Sequence, residues 1–146
     1  MENKPIRIII VDDHALARES WKMVLERNPR LQVIALCDNG ITAIEMAQQL
    51  IPDILLVDVN MYPVNGFAVT EKVTKANLGI KIIALSVNNQ IYYVQRMLEL
   101  GAKGYLTKTS PLEEVEEGIL KVYAGEQYIC DEIKKNLPVQ QDEPGK

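Results

Sequence analysis

IIIVDDH at residues 8–14 and LLVDVNMYPVNG at residues 55–66 each run a block of aliphatic residues straight into aspartate. Short, continuous runs rich in β-branched residues fit strands buried on both faces, as in a parallel sheet. Ile6 to Val11 is apolar apart from Arg7, and Ile54 to Val57 and Ile80 to Leu85 repeat the pattern. Leu31 to Leu36 and Tyr105 to Leu106 are weaker strand candidates. Between them the apolar residues recur at helical spacing: Ala17, Trp21, Val24 and Leu25; Ile41, Ile44 and Ala47; Phe67, Val69 and Val73; Val94 and Leu98; Leu112, Val115, Ile119 and Val122. Ser110 is a candidate N-cap for the last of these, with Pro111 in its first turn and Gly125 as its stop.

Strand and helix alternate five times, which demands a parallel sheet with right-handed crossovers and helices on both faces. The expected fold is therefore α/β, a doubly wound, flavodoxin-like (βα)5 unit with a five-stranded parallel sheet in the order 2-1-3-4-5. The chain of 146 residues, 47% of them hydrophobic, suffices for one such core. The expected division is a compact domain over residues 1–127 and a C-terminal extension over 128–146. Its end, Pro138 to Lys146, is polar, carries two prolines and reads as a linker.

A net charge of −4 argues against this segment holding nucleic acid phosphates by counterion release. No run approaches the roughly 18 apolar residues of a membrane span, and the start lacks a cleavable-signal layout, so a cytoplasmic location is expected. Cys37 and Cys130 are far apart and read as free thiols, and the single histidine, His14, rules out a metal site built on several imidazoles. Any bound metal must be a hard cation held by oxygens.

Asp12 and Asp13 follow the first strand and Asp58 the third. In the order 2-1-3-4-5 these strands are neighbours at the switch point, which brings the three carboxylates into one crevice. Together they would repel unless a cation joined them, and Mg²⁺, which takes a few carboxylates and keeps open positions, suits that role. Ser86 ends the fourth strand as a hydrogen-bond donor, and Lys108 follows the fifth as a cation. Aspartates are also common turn residues, and a terminal serine or loop lysine is usually plain surface; it is the joint placement that carries the reading.

The pieces IIIVDDH, LLVDVNMYPVNG, IIALSV and GAKGYLTK resemble the receiver domain of two-component response regulators over roughly residues 5 to 125. VDDHALARE and GAKGYLTKTSPLEEVEEGI are most similar to the NarL/FixJ subfamily, whose members usually carry a LuxR-type helix-turn-helix domain after the receiver. The resemblance implies Mg²⁺-dependent phosphoryl transfer from a sensor histidine kinase, or from acetyl phosphate, to Asp58. It implies metal ligation by Asp12, Asp13, Asp58 and the backbone carbonyl of Asn60. It assigns phosphoryl contacts to Ser86 and Lys108 and an inward-turning switch aromatic to Tyr105, with Val87 and Asn88 governing access to the phosphosite. Output would be transcriptional, through a DNA-binding domain beyond this segment; alternatives are a stand-alone receiver acting by protein contact and a Mg²⁺-dependent aspartyl-nucleophile phosphatase. Asn60 stands where such a phosphatase has its general acid.

The sequence departs from the family pattern in the loops. Tyr62 and Pro63 shift the usual proline by one, Thr109 replaces the proline that often follows the lysine and leaves that bond's isomer open, and Val87 is larger than the usual Ala or Gly. Val87 is expected to crowd access and prolong the phosphorylated state. His14 reads as the start of the first helix at the rim of the site, and Trp21 as core packing. The fourth helix, with Ile91, Tyr92, Tyr93, Val94, Met97 and Leu98, offers a surplus apolar face that suits a homodimer through the fourth helix, fifth strand and fifth helix. Glu113 to Glu117 reads as a solvated face.

Overall fold

The computed structural model describes residues 4–137. Five strand–helix units follow one another: β1 (Ile6–Val11), α1 (Ala15–Leu25), β2 (Leu31–Cys37), α2 (Gly40–Leu50), β3 (Ile54–Val57), α3 (Gly66–Ala76), β4 (Lys81–Ser86), α4 (Ile91–Glu99), β5 (Gly104–Thr107) and α5 (Leu112–Tyr123). The sheet has the expected order β2-β1-β3-β4-β5, extended at one edge by a sixth strand. That strand is β6 (Tyr128–Ile129), and α6 (Asp131–Asn136) follows it. All pairings are parallel, with Val11 opposite Val57 and Val57 opposite Ala84. β3 is buried along its whole length, as is β1 apart from half-buried Arg7, which explains why these runs do not alternate with polar residues.

Three expectations need correction. The sheet has six strands rather than five, because the N–H groups of Tyr128 and Cys130 bond to the carbonyls of Lys103 and Tyr105 along the edge of β5. Ser110 is not the N-cap of α5; Pro111 holds that place in an extended conformation and its carbonyl accepts from Glu114 and Val115, while Ser110 is buried beside Thr107. Ile41 is 52% exposed; α2 packs Gly40 and Ala43 inward beside the expected Ala47, with Ile44 partly buried against the core. Small residues are needed there, since a Cβ on Gly40 would lie 2.6–2.8 Å from Val64. Trp21 is half-buried against the core, and both cysteines are free and buried.

The packed structure continues past residue 127 to Leu137: Tyr128, Cys130 and Ile133 are buried, and the Tyr128 ring lies against the bare face of Gly118 on α5. The linker-like stretch from Pro138 onward lies outside the described residues. Among the described residues, no helix is long and apolar enough to cross a membrane.

The loops at the carboxyl edge of the sheet are fixed by local bonds. Asn39 Oδ1 accepts from the Thr42 N–H at 2.8 Å, and Asn65 Oδ1 from the Ala68 N–H at 2.9 Å, so two of the helices start on capped turns at that edge. Gly66 brings α3 so close to β3 that an added Cβ would sit 2.6 Å from the Asp58 carbonyl oxygen.

Ile133 is completely buried, so Ile133→Ala should lower stability by about 2–4 kcal/mol in urea denaturation. A cost below roughly 0.5 kcal/mol would mean that α6 contributes nothing to the cooperative fold.

Candidate functional site

β1 and β3 lie side by side, so the chain leaves both strands at the same point and sets Asp12 and Asp58 into one crevice. Each is only 3% exposed. The Asp12 N–H bonds to the Cys37 carbonyl at 3.0 Å and the Asp58 N–H to the Val11 carbonyl at 2.9 Å, which continues the ladder one residue past each strand. Asp13, next in the chain, turns outward into solvent.

Lys108 reaches across from the end of β5, its own N–H held by the Ser86 carbonyl at 2.9 Å. Its Nζ stands 2.5 Å from Asp12 Oδ2 and 3.2 Å from Asp58 Oδ2. Asp58 Oδ1 accepts from the Asn60 N–H at 3.1 Å. His14 caps α1 without a side-chain capping bond; its Nδ1 lies 2.9 Å from Asp12 Oδ1 and 3.0 Å from Asp13 Oδ1. Sequence placed His14 at the rim, and the structure adds that its ring touches two of the three carboxylates.

The two buried carboxylates differ. Burial raises both, but at Asp12 the hydrogen bonds from Lys108 and from the backbone and ring of His14 outweigh it and hold the carboxyl below its usual value. At Asp58 burial prevails over the attraction of Lys108 and the Asn60 N–H, with Asp12 adding repulsion, so its carboxyl is raised. Burial opposes the charge on Lys108, yet Asp12 and Asp58 raise its pKa and keep it cationic.

Carboxylate oxygens of Asp12, Asp13 and Asp58 and a ring nitrogen of His14 lie within 4.8 Å of one another. This oxygen-rich set, with Asp13 and His14 exposed, fits a hard divalent cation.

The remaining expected residues converge on the same edge. Ser86 is fully buried and its Oγ accepts from the Asn88 N–H at 3.1 Å. Tyr105 is fully buried too, and its hydroxyl donates to the Asn88 carbonyl at 2.8 Å. Burial pushes the Tyr105 hydroxyl up to about 12, so it remains a donor. The Asn88 backbone is thus gripped on both sides by the two expected switch residues, while its side chain donates to Asn60 Oδ1. Val87 is 72% exposed and lines, with His14, Leu16, Ala17, Ser20 and Lys108, a cavity of about 430 Å³. The Lys108–Thr109 bond is trans, the one cis peptide among the described residues being Tyr62–Pro63. On α4, Tyr93 stacks on Phe67 and Tyr92 meets both rings edge-on, so part of the apolar surplus of that helix is covered within the domain. Sequence reading missed Glu132, whose carboxylate on α6 bonds to Asn89, Thr107 and Thr109; an acidic residue in a polar stretch gives no signal of it.

The family profile of the response regulator receiver domain matches residues 8–120. The chain belongs to that family. The receiver is 34% identical to the response regulator GacA of Pseudomonas viridiflava over 139 residues, covering 95% of this chain and 65% of that protein. It is 36% identical to the transcriptional regulatory protein DegU of Brevibacillus brevis over 136 residues, covering 93% of this chain and 57% of that one. The chain thus spans under two thirds of the length of these relatives. Among solved structures, a LuxR-family two-component response regulator from Aurantimonas sp. SI85-9A1 superposes with a TM-score of 0.86 at 26% identity, covering 90% of this receiver and 94% of that chain. The signal receiver domain of NarL from Mycobacterium tuberculosis gives 0.81 at 28% identity, covering 84% and 99%. A response regulator receiver is a regulatory domain.

Because the Asp58 pKa is raised in the folded state, its ionisation costs stability as pH rises through the carboxylate range. In metal-free buffer at neutral pH, Asp58→Asn should raise Tm by roughly 2–4 °C, and the gain should vanish at low pH, where Asp58 is protonated in both states. Thermal scans in EDTA across pH test this; an unchanged or lower Tm at pH 7 contradicts it.

Proposed function

We propose that Asp58 is the phosphoacceptor of this receiver. The observation that carries the reading is the buried Asp58 carboxylate, raised in pKa and facing both Lys108 at 3.2 Å and the Asp12–Asp13 pair. Asp12, Asp13, Asp58 and the Asn60 backbone carbonyl would hold Mg²⁺, which when bound supplies charge neutralisation for the transferring group. A carboxylate oxygen of Asp58 forms the bond to phosphorus as the P–N bond of a kinase phosphohistidine, or the P–O bond to the acetyl group of acetyl phosphate, breaks and the leaving group keeps the electron pair. Lys108, freed from Asp58, pairs with a phosphoryl oxygen, and the Ser86 hydroxyl donates to another. Positioning and electrostatics do most of this work, because an ionised carboxylate nucleophile has no proton for a general base to remove.

The partner is a sensor histidine kinase, as for receivers in general. The segment itself binds no nucleic acid and works in the cytoplasm, and the output is transcriptional. Support for this output is the description of DegU as a transcriptional regulatory protein and the greater length of the relatives. The receiver, residues 1–127 with β6 and α6 packed on its edge, passes the signal on through the rest of the extension at 128–146, and a homodimer through the face of α4, β5 and α5 would rest on α4 and α5, because β6 covers the edge of β5. A phosphatase reading is disfavoured because Asn60, the residue two past Asp58, cannot exchange a proton as a carboxyl would.

Incubation with acetyl phosphate and Mg²⁺ should add one phosphoryl group by intact mass, with none in Asp58→Asn or in EDTA. Adduct in the mutant, or failure with both acetyl phosphate and a panel of phosphorylated kinases, would refute the assignment.

Val87, 72% exposed, lines a cavity that it shares with His14 and Lys108, and neither Asn60 nor Asn88 can deprotonate water. The phosphorylated state should therefore last minutes or longer, and Val87→Ala should shorten it severalfold. Decay of the adduct within seconds, at the same rate in both proteins, would count against this.

A further inference from the structure

Glu132 lies outside the acidic cluster and outside the set of residues the sequence singled out. Its position on α6 is fixed by neighbours rather than by its own bonds: Cys130 and Ile133 are fully buried on either side, and β6 is zipped to β5. The half-buried carboxylate points back over the carboxyl edge of the sheet. The hydroxyls of Thr107 and Thr109 both donate to Oε1 at 2.8 Å, and Asn89 Nδ2 donates to Oε2 at 3.0 Å. Ser110 Oγ, 3.1 Å from Thr107 Oγ1, can supply the proton that the Thr107 oxygen accepts, so every hydroxyl in the group has a role. These bonds, Asn89 foremost, hold the Glu132 carboxyl below its usual value and keep it ionised, which makes each a charge-assisted bond.

The partners are telling. Thr107 and Thr109 flank Lys108, and Asn89 sits one residue past Asn88, whose backbone carries the bonds from Ser86 and Tyr105. A single carboxylate therefore ties together the two loops that deliver the lysine and the serine to Asp58. Thr109 occupies a position where proline could not provide the hydroxyl.

We propose that Glu132 is a positioning residue for phosphoryl transfer: by bridging Asn89 to Thr107 and Thr109 it fixes the β4–α4 and β5–α5 loops, and through them Ser86 and Lys108, relative to Asp58. The inference rests on the phosphoacceptor reading above. It makes α6 a structural control on the reactivity of a site whose metal-binding aspartates it does not touch.

The test uses the full chain with Glu132→Ala, Asn89→Ala, Thr109→Val and the Glu132→Ala/Thr109→Val double variant. In metal-free protein, Glu132→Ala should speed amide exchange at residues 87–90, a readout independent of phosphorylation. At saturating acetyl phosphate the rate of adduct formation should fall about three- to tenfold, the scale of a modest misplacement of reacting groups, while the Mg²⁺ Kd from calorimetry stays within about twofold. Asn89→Ala, which removes one surface bond and leaves α6 intact, should reproduce the faster exchange and part of the rate loss. Thr109→Val should slow transfer by itself but add nothing after Glu132→Ala. Unchanged exchange and rate in Glu132→Ala, or a rate loss matched by loss of Mg²⁺ affinity, overturns the assignment. Wild-type chain that forms no adduct overturns the phosphoacceptor reading and this inference with it; wild-type adduct with an equally fast Glu132→Ala overturns the inference alone.

Discussion

Two carboxylates buried side by side, Asp12 and Asp58, are costly in an apolar fold unless cations face them, and Lys108 lies against both. Most of the carboxyl edge of the sheet is arranged around that constraint. The parallel pairing of β1 with β3 creates the crowding, and β5, two strands from β3, delivers the lysine that relieves it. Lysine rather than arginine suits the place: a compact point charge on a flexible stem can leave one carboxylate for an incoming anion without giving up a two-pronged contact. The raised pKa of Asp58 beside the lowered pKa of Asp12 shows that the relief is uneven. Of the two buried carboxylates, Asp58 is the less fully compensated.

That imbalance connects to the loop beyond β4. Ser86 and Tyr105 hold opposite sides of the same peptide at Asn88, one accepting from its N–H and the other donating to its carbonyl. If the serine hydroxyl turns toward a group on Asp58, its bond to the Asn88 N–H is lost, and the loop and the tyrosine must find a new arrangement. On the phosphoacceptor reading, an event at the carboxylate would thereby be converted into movement at the start of α4 by the exchange of a single hydrogen-bond partner. This is how a two-state element is biased from a local site.

Much of this could be read from the residues alone, for a physical reason. Aliphatic runs ending in aspartate mark strands buried on both faces and fix where their ends lie, so Asp12, Asp13, Asp58, Ser86 and Lys108 were placed together by topology. The misses share another cause. Tyr128 and Ile129 form too short a run to register as a strand; they belong to the sheet because β5 has a free edge and Gly118 leaves room for the tyrosine ring. Ser110 looks like a cap because serine before proline usually is one, yet its hydroxyl is used by Thr107 instead. Glu132 is invisible because its significance lies in partners 43, 25 and 23 residues away. Periodicity reports burial against a layer, whereas these contacts depend on tertiary placement.

The departures from the family pattern fall in the loops at the carboxyl edge, while the strands keep it. Tyr62–Pro63, Val87 and Thr109 each sit within a few residues of Asp58, Ser86 or Lys108. The frame tolerates this because it is held by strand pairing and by Asn39 and Asn65 at the helix starts, none of which involves the changed positions. Thr109 illustrates the consequence: where a proline would stiffen the chain after the lysine by its ring, a threonine can do so only if something accepts its hydroxyl, and here the acceptor is Glu132. The loop's rigidity is then supplied by a later segment of the chain instead of by the loop itself, and the stability of α6 becomes a condition on the geometry around Asp58.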